Sequence, residues 1–336
     1  MVFHPPSWAL ELPVDPYDSI PISEFILNEE YGRHPLHHAR PPFTCGLSGI
    51  EYSAFEVRDR VNALARALCK EFGWAPNQGT EWDKIVNVFS VNTIDTCTLS
   101  WALHSISGIS SPANAAYSEP ELVHQLQSSG SKAIFTCLPL LQTSIAAAEK
   151  AGIPKSRIFL FDLPSQLTGG KSSPPDFKTV NQLIREGTSL PPLEKLRWSK
   201  GQGARQTAFL CYSSGTSGLP KGVMISHRNV IANSLQIATY EKPYRDGQKK
   251  PGDKYDPTEI ALGLLPQSHI YALVVICHAT VYRGDQVINL PKFDMGHLLG
   301  AVQRFKIGGM FLVCIMGASH CSRCRQLRRQ ELTLIA

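Results

Sequence analysis

The 336-residue chain lacks any apolar run of the roughly 20 residues that cross a bilayer. Its longest runs, near Ala272 to Tyr282 and Ile307 to Ala318, reach about half that length, so no membrane span is expected. A basic start followed by an unbroken apolar stretch is also missing: Met1 to Leu12 carries His4, Pro5, Pro6 and Glu11, and no signal peptide is read there. Charge of one sign is scarce. With 33 Lys and Arg against 28 Asp and Glu, the net charge of +5 is a small difference between mixed populations and does not point to nucleic acid or an anionic membrane as partner. Nine cysteines are too few for a disulfide scaffold in a chain this long. Cys45, Cys69, Cys97, Cys137, Cys211 and Cys277 stand singly in apolar surroundings and read as buried free thiols of a reducing compartment. A cytoplasmic or peroxisomal location is expected, without a C-terminal peroxisomal tripeptide. What the chain does have is 43% hydrophobic residues, too many for disorder, and length for about two domains.

From Ser53, the positions Phe55, Val57, Val61, Leu64, Ala65, Leu68 and Phe72 recur at helical spacing, and Gly73 follows as a stop. Short β-rich runs then alternate with helical stretches. Strands are expected at Ile85 to Val91, Ile109 to Asn114, Lys132 to Cys137 and Arg157 to Asp162, with helices at about Ile94 to Ser107, Glu119 to Ser128 and Leu140 to Ala151. A looser stretch, Pro164 to Pro192, reads as a surface excursion with one short helix near Val180 to Arg185. The alternation resumes with strands Thr207 to Tyr212 and Val223 to Ser226, a helix from Arg228 to about Glu241, and a polar loop from Pro243 to Pro257. Strand Ile260 to Leu265, helix His269 to Tyr282, strand Gln286 to Asn289, helix Asp294 to Phe305 and strand Gly309 to Val313 complete the pattern. Near-continuous apolar strands separated by helices imply an α/β fold, with a parallel sheet covered on both faces.

The most informative string is Tyr212-Ser213-Ser214-Gly215-Thr216-Ser217-Gly218-Leu219-Pro220-Lys221-Gly222-Val223, directly after an apolar strand. Glycines let backbone N–H groups curl around an anion, hydroxyls add donors, and Lys221 supplies a charge on a flexible stem. The pattern fits phosphate binding. Its spacing is not that of a Walker A motif, because Gly222 and a strand-like Val223-Met224-Ile225 follow the lysine. The loop therefore reads as a strand-to-strand turn without a helix N-terminus. The competing structural reading is a Ser/Gly-rich surface turn that binds nothing.

This string resembles the phosphate-loop signature of the adenylate-forming superfamily, which includes the acyl-CoA synthetases and coumarate:CoA ligases. Further segments are similar too. Leu265-Pro266-Gln267-Ser268-His269-Ile270-Tyr271 looks like the family's next motif, in which the histidine lies beside the carboxylate and phosphate reaction centre and the aromatic lines the acyl pocket. Leu290-Pro291-Lys292-Phe293-Asp294 looks like a segment whose lysine helps hold coenzyme A, and Asn92 to Thr136 resembles the family's first α/β half. The resemblance implies ATP with Mg²⁺ and coenzyme A as co-substrates, and an aromatic or medium-chain carboxylic acid as substrate. It assigns catalytic roles to His269 and Lys221, phosphate contacts to Ser213, Ser214, Gly215, Thr216, Ser217, Gly218 and Lys221, the acyl pocket to His269 and Tyr271, and coenzyme A to Lys292.

The match runs from roughly Tyr31 to Val313, dividing the chain into an N-terminal extension (1–30), a partial AMP-binding domain (31–313) and an atypical tail (314–336). The fold expected from the resemblance is an incomplete N-terminal domain of parallel-rich sheets flanked by helices, without the family's C-terminal lid. Also missing are the Thr-Glu segment whose acid helps hold Mg²⁺, the ribose-gripping aspartate and the lid's lysine, so no metal ligand is assigned. The tail holds three of the nine cysteines, and its Arg323, Arg325, Arg328 and Arg329 face one acid, Glu331. Two readings stay open: out-of-frame or intron-derived sequence on a truncated ligase, or a zinc site of His320, Cys321 and Cys324 with Cys314. The activity expected is acid:CoA ligation in a specialised-metabolite pathway. The alternatives are an inactive remnant or an adenylation domain of another branch.

Overall fold

The computed structural model describes residues 8–213 and 219–312. Its strands are β1 (Phe43–Cys45), β2 (Ile85–Phe89), β3 (Ile109–Ala113), β4 (Ala133–Cys137), β5 (Ile158–Phe161), β6 (Thr207–Ser213), β7 (Lys221–Ser226), β8 (Ile260–Gly263), β9 (Gln286–Asn289) and β10 (Gly309–Met310). They form two sheets, in keeping with the parallel-rich sheets that the resemblance implies. The larger runs β5-β4-β2-β3-β6-β7 and the smaller β1-β9-β8-β10. Every pairing is parallel except β6 with β7. That exception follows from chain length, because the short 214–220 connection falls below the dozen or so residues a parallel crossover needs.

The apolar strands of the larger sheet are covered on both faces, and their residues alternate between two cores. Phe135, Phe159 and Phe161 enter the main core, where Phe135 stacks on Phe159 with centroids 4.7 Å apart. Ile134, Ile158 and Leu160 point the other way, against the Glu119–Ser129 and Leu141–Ala151 helices. The main core continues through the Ala54–Phe72 and Thr96–His104 helices to Val287 of β9, so the two sheets share one interior. Leu262, Ile288 and Leu298 form a smaller core under the Met295–Phe305 helix.

Local chemistry explains the helix boundaries. The Ser53 side chain accepts from the Glu56 amide while Glu56 accepts from the Ser53 amide, closing a capping box, and Gly73 ends the helix at φ 70°. Three features depart from the sequence reading. The helix expected to stop near Glu241 runs His227–Gln248, through Pro243. Tertiary anchoring outweighs the lost backbone hydrogen bond: beyond the proline, buried Arg245 grips Asp285 through two bonds, at 3.0 and 2.6 Å. The stretch expected at His269 to Tyr282 contains a π-helical segment, Ala272–Ala279, followed by a short α-helical turn, Thr280–Tyr282. Finally, Ile22–Leu27 forms a helix whose Ile22, Phe25 and Ile26 are fully buried in the main core.

Candidate functional site

A cleft of about 940 Å³ opens beside the β6–β7 hairpin. Ser213 and Tyr212 come from the end of β6, Val223, Met224 and Ile225 from β7, and Asn229, Val230 and Asn233 from the helix that follows. The opposing wall is Pro266, Ser268, His269, Ile270 and Tyr271, continued by Val274 and Val275 of the π-helical segment. Asn114 and Tyr117, just past β3, complete the rim. Crevices of this kind in parallel sheets lie outside the carboxyl ends of strands, and here the ends of β3, β6 and β8 converge.

The hairpin is held from below by the Glu119–Ser129 helix. His124 Nε2 meets the Pro220 carbonyl at 2.8 Å, and the Tyr212 hydroxyl meets Ser128 Oγ at 2.7 Å. Tyr212 lies opposite Gly222 in the register, and a β-carbon on Gly222 would sit 3.1 Å from its ring. The glycine makes room for the ring. Lys221 lies opposite Ser213 and is exposed, at the end of the hairpin where residues 214–218 connect the strands.

Asn92 holds the His269 wall. Its Nδ2 lies 3.0 to 3.4 Å from the carbonyls of Gly263, Leu264, Leu265 and Leu290, and its Oδ1 accepts from the Gln267 amide at 2.8 Å. One buried amide thus ties the end of β2 to the segment that carries His269. The Tyr271 amide in turn donates to His269 Nδ1 at 3.3 Å. In the π-helical segment, His278 donates from Nδ1 to the Leu273 carbonyl and Thr280 from Oγ1 to that of Val275, both five residues back. Such wide turns recur at functional sites. Cys211 lines the floor, and burial pushes its thiol up to about 12, leaving a neutral wall group rather than a nucleophile.

Three expected site residues, Ser213, His269 and Tyr271, therefore meet at one cleft, with Lys221 paired to the first. Lys292 does not join them. It is exposed, between β9 and the Met295–Phe305 helix, and outside the cleft lining. Ser214, Gly215, Thr216, Ser217 and Gly218 lie outside the described residues, as do Cys314, His320, Cys321 and Cys324 of the zinc reading. Among the described residues no group of three or more His, Cys, Asp or Glu is placed to hold a metal ion. No helix among them is long and apolar enough to cross a membrane.

A family model described as AMP-binding enzyme matches residues 36–320. The chain belongs to the AMP-binding enzyme family. It is 38% identical over 313 residues to acyl-CoA ligase easD of Emericella nidulans, covering 93% of this chain and 54% of that protein. Acyl-CoA ligase frbB of a Dothideomycetidae species is 37% identical over 306 residues, covering 90% and 53%. Among solved structures, the red-emitting luciferase of Phrixothrix hirtus superposes with a TM-score of 0.68 at 17% identity, over 90% of this chain and 52% of its own. The likeness confirms the α/β fold with parallel-rich sheets. The chain spans about half the length of the curated relatives it matches.

Asn92, Asn229 and Asn233 are the site residues that sequence reading missed. Asn229 and Asn233 carried a usable signal: they are four apart on the helix leaving the hairpin, hence on one face.

Proposed function

We propose that the protein serves as an ATP-dependent carboxylic acid:CoA ligase, and that the β6–β7 cleft is where the acid and the triphosphate meet. The observation that carries this reading is the meeting of Ser213, His269 and Tyr271 around one cleft at the hairpin whose connection holds the Gly/Ser/Thr string. A free carboxylate acylates poorly because its leaving group would be oxide. Attack of a carboxylate oxygen on the α-phosphorus of ATP expels pyrophosphate and gives an acyl-adenylate. The thiol of coenzyme A then attacks the acyl carbon, and AMP leaves. The protein's task is placement, charge neutralisation and exclusion of water. Lys221 and the 214–218 amides suit the triphosphate, His269 suits orientation of the carboxylate, and Lys292 suits coenzyme A once further chain is in place. Tyr271, Val274 and Val275 suit an apolar wall for an aromatic or medium-chain acid. The names of the fungal relatives, acyl-CoA ligases, support the reaction, and a specialised-metabolite role is consistent with them.

The division into 1–30, 31–313 and 314–336 belongs to this reading, with 31–313 as the nucleotide-binding portion. The alternative readings are a nucleotide-binding remnant without ligase activity and an adenylation domain of another branch of the superfamily. The test is to sequence the transcript across the codon for Val313, express the longest polypeptide it encodes, and assay AMP release with ATP, coenzyme A and a panel of aromatic and medium-chain acids. Acid-dependent AMP release with thioester formation is the expected result. Its absence with every acid overturns the ligase reading in favour of the remnant.

A further inference from the structure

Building on the ligase reading, we infer that the cleft selects acids bearing a hydroxyl group distant from the carboxylate, recognised by Asn229 and Asn233. The cleft is mostly apolar along Val223, Met224, Ile225, Val230 and Val274, yet its helical wall carries these two amides one turn apart. Residues four apart on a helix have β-carbons about 5–6 Å from each other, so both side chains can reach a single oxygen.

Their existing bonds decide what each can offer. The Ser226 amide and hydroxyl both donate to Asn229 Oδ1, at 3.0 and 2.9 Å. A backbone N–H can only donate, so the orientation of the Asn229 amide is fixed and its Nδ2 is left facing outward as a donor. Asn233 Nδ2 donates to Gln236 Oε1 at 3.3 Å, and among the described residues nothing donates to Asn233 Oδ1. The wall thus presents one donor and one acceptor. A hydroxyl satisfies both at once, accepting from Asn229 and donating to Asn233. A keto oxygen satisfies only the first, and a methyl group strips water from both amides without replacing it.

The hairpin sets the distance. The phosphate-loop end of β7 is Lys221, while the helix bearing the asparagines starts after Ser226 at the other end. The five steps from Lys221 to Ser226, at about 3.3 Å each, put those ends roughly 16 Å apart. Asn229 lies in the first turn of that helix and Asn233 one turn on, so an acid whose carboxylate reacts at the loop end meets them with its distal portion rather than its α-carbon.

The test uses the polypeptide that releases AMP and pairs of acids differing by one hydroxyl: octanoic with 8-hydroxyoctanoic, decanoic with 10-hydroxydecanoic, and cinnamic with 4-hydroxycinnamic acid. For at least one pair the hydroxylated member should be favoured by about tenfold in kcat/KM. Asn233→Leu should bring that ratio close to one. Asn229→Asp keeps the oxygen that caps the helix and removes the donor, so it should lower the same ratio without the folding defect of a lost cap. Because the readout is a ratio within each variant, a general loss of activity does not mimic it. Equal use of both members of every pair, or a ratio unchanged in both variants, overturns the inference and leaves the ligase reading intact. If no acid releases AMP, the ligase reading falls and binding decides: 10-hydroxydecanoate must raise the melting temperature of the 336-residue chain more than decanoate does, and Asn233→Leu must erase the difference.

Discussion

At the scale of single residues, one amide and one ammonium do most to define the site. Asn92 has only two hydrogens on Nδ2, yet it serves four carbonyls and accepts from Gln267, all in a buried position. Asn92→Ala leaves those backbone groups short of partners where water is excluded, at about 1–3 kcal/mol for each group fully deprived. Urea denaturation should show a loss of about 2–3 kcal/mol in unfolding free energy, and a loss below about 0.5 kcal/mol would mean that the neighbouring carbonyls find other donors. Lys221 differs in kind, because it is exposed and its removal costs the fold little. In the polypeptide that releases AMP, Lys221→Ala should lower kcat/KM by the equivalent of roughly 2–4 kcal/mol, as expected for one preorganised charge on a transition state. An unchanged kcat/KM would remove Lys221 from the triphosphate's surroundings.

Between elements, the Val180–Thr188 and Ala54–Phe72 helices approach closely at Gly187, where a β-carbon would overlap the Ala63 carbonyl oxygen. Arg66 Nε adds a bond to the Gly187 carbonyl at 2.8 Å. Gly187→Ala must push the helix backbones apart rather than bend a side chain, so it should cost at least about 1–3 kcal/mol in a urea titration despite alanine's better helix propensity. A stabilised variant would show that the helices separate freely. This contact also shows where sequence reading ends. The Ser53, Glu56 and Gly73 signals mark the helix itself, because capping is local. That the loose 164–192 stretch packs a helix against it depends on a glycine whose value appears only in three dimensions. Strand β1 spans Phe43–Cys45 and the buried N-terminal helix Ile22–Leu27, both too short for a period to register. The run through Pro243 depends on Asp285, forty residues beyond Arg245. The candidate site follows the same division. Ser213, His269 and Tyr271 were legible because consecutive residues spell their segments, whereas Asn229 reads as a helix cap and Asn92 as a loop residue until the walls they hold are seen.

Across the whole molecule, three fully buried histidines link stability to pH. Burial lowers His104 to about 3 and His278 to about 4, and it holds His227 well below its ordinary value, with neighbouring His104 adding to the effect. Their bonds agree with neutral rings. Trp101 Nε1 donates to His278 Nε2 at 3.0 Å while His278 Nδ1 donates to the Leu273 carbonyl, and the Ile22 amide donates to His227 Nδ1 at 3.1 Å. In the unfolded chain each ring takes up a proton near pH 6.5, so between that pH and about 4 the unfolded state binds more protons than the folded one, and stability falls as pH falls. Each such ring contributes a slope of about 1.4 kcal/mol per pH unit, and the three together about 4. The acid-lowered carboxyls, Glu56, Asp83, Glu121, Asp256 and Asp294, act only below the ordinary carboxylate range. In the window from about pH 6.5 to 5 the three histidines set the slope, and buried Asp95, whose carboxyl is raised by burial, opposes them as it takes up its proton in the folded state first. Between about pH 7 and 8 the curve should be nearly flat, because the buried thiols of Cys69, Cys97, Cys137 and Cys211, raised by burial, act only at higher pH, and chemical denaturation at half-unit steps should show the slope opening below that plateau. Replacing His278 by Gln, which keeps an acceptor for Trp101 but does not titrate, should reduce that slope by about a third even if it lowers stability at about pH 8. A stability that holds level from about pH 7.5 to 5 would mean that these rings gain protons in the folded state as readily as in the unfolded one, and that the core around Trp101 and His104 admits water.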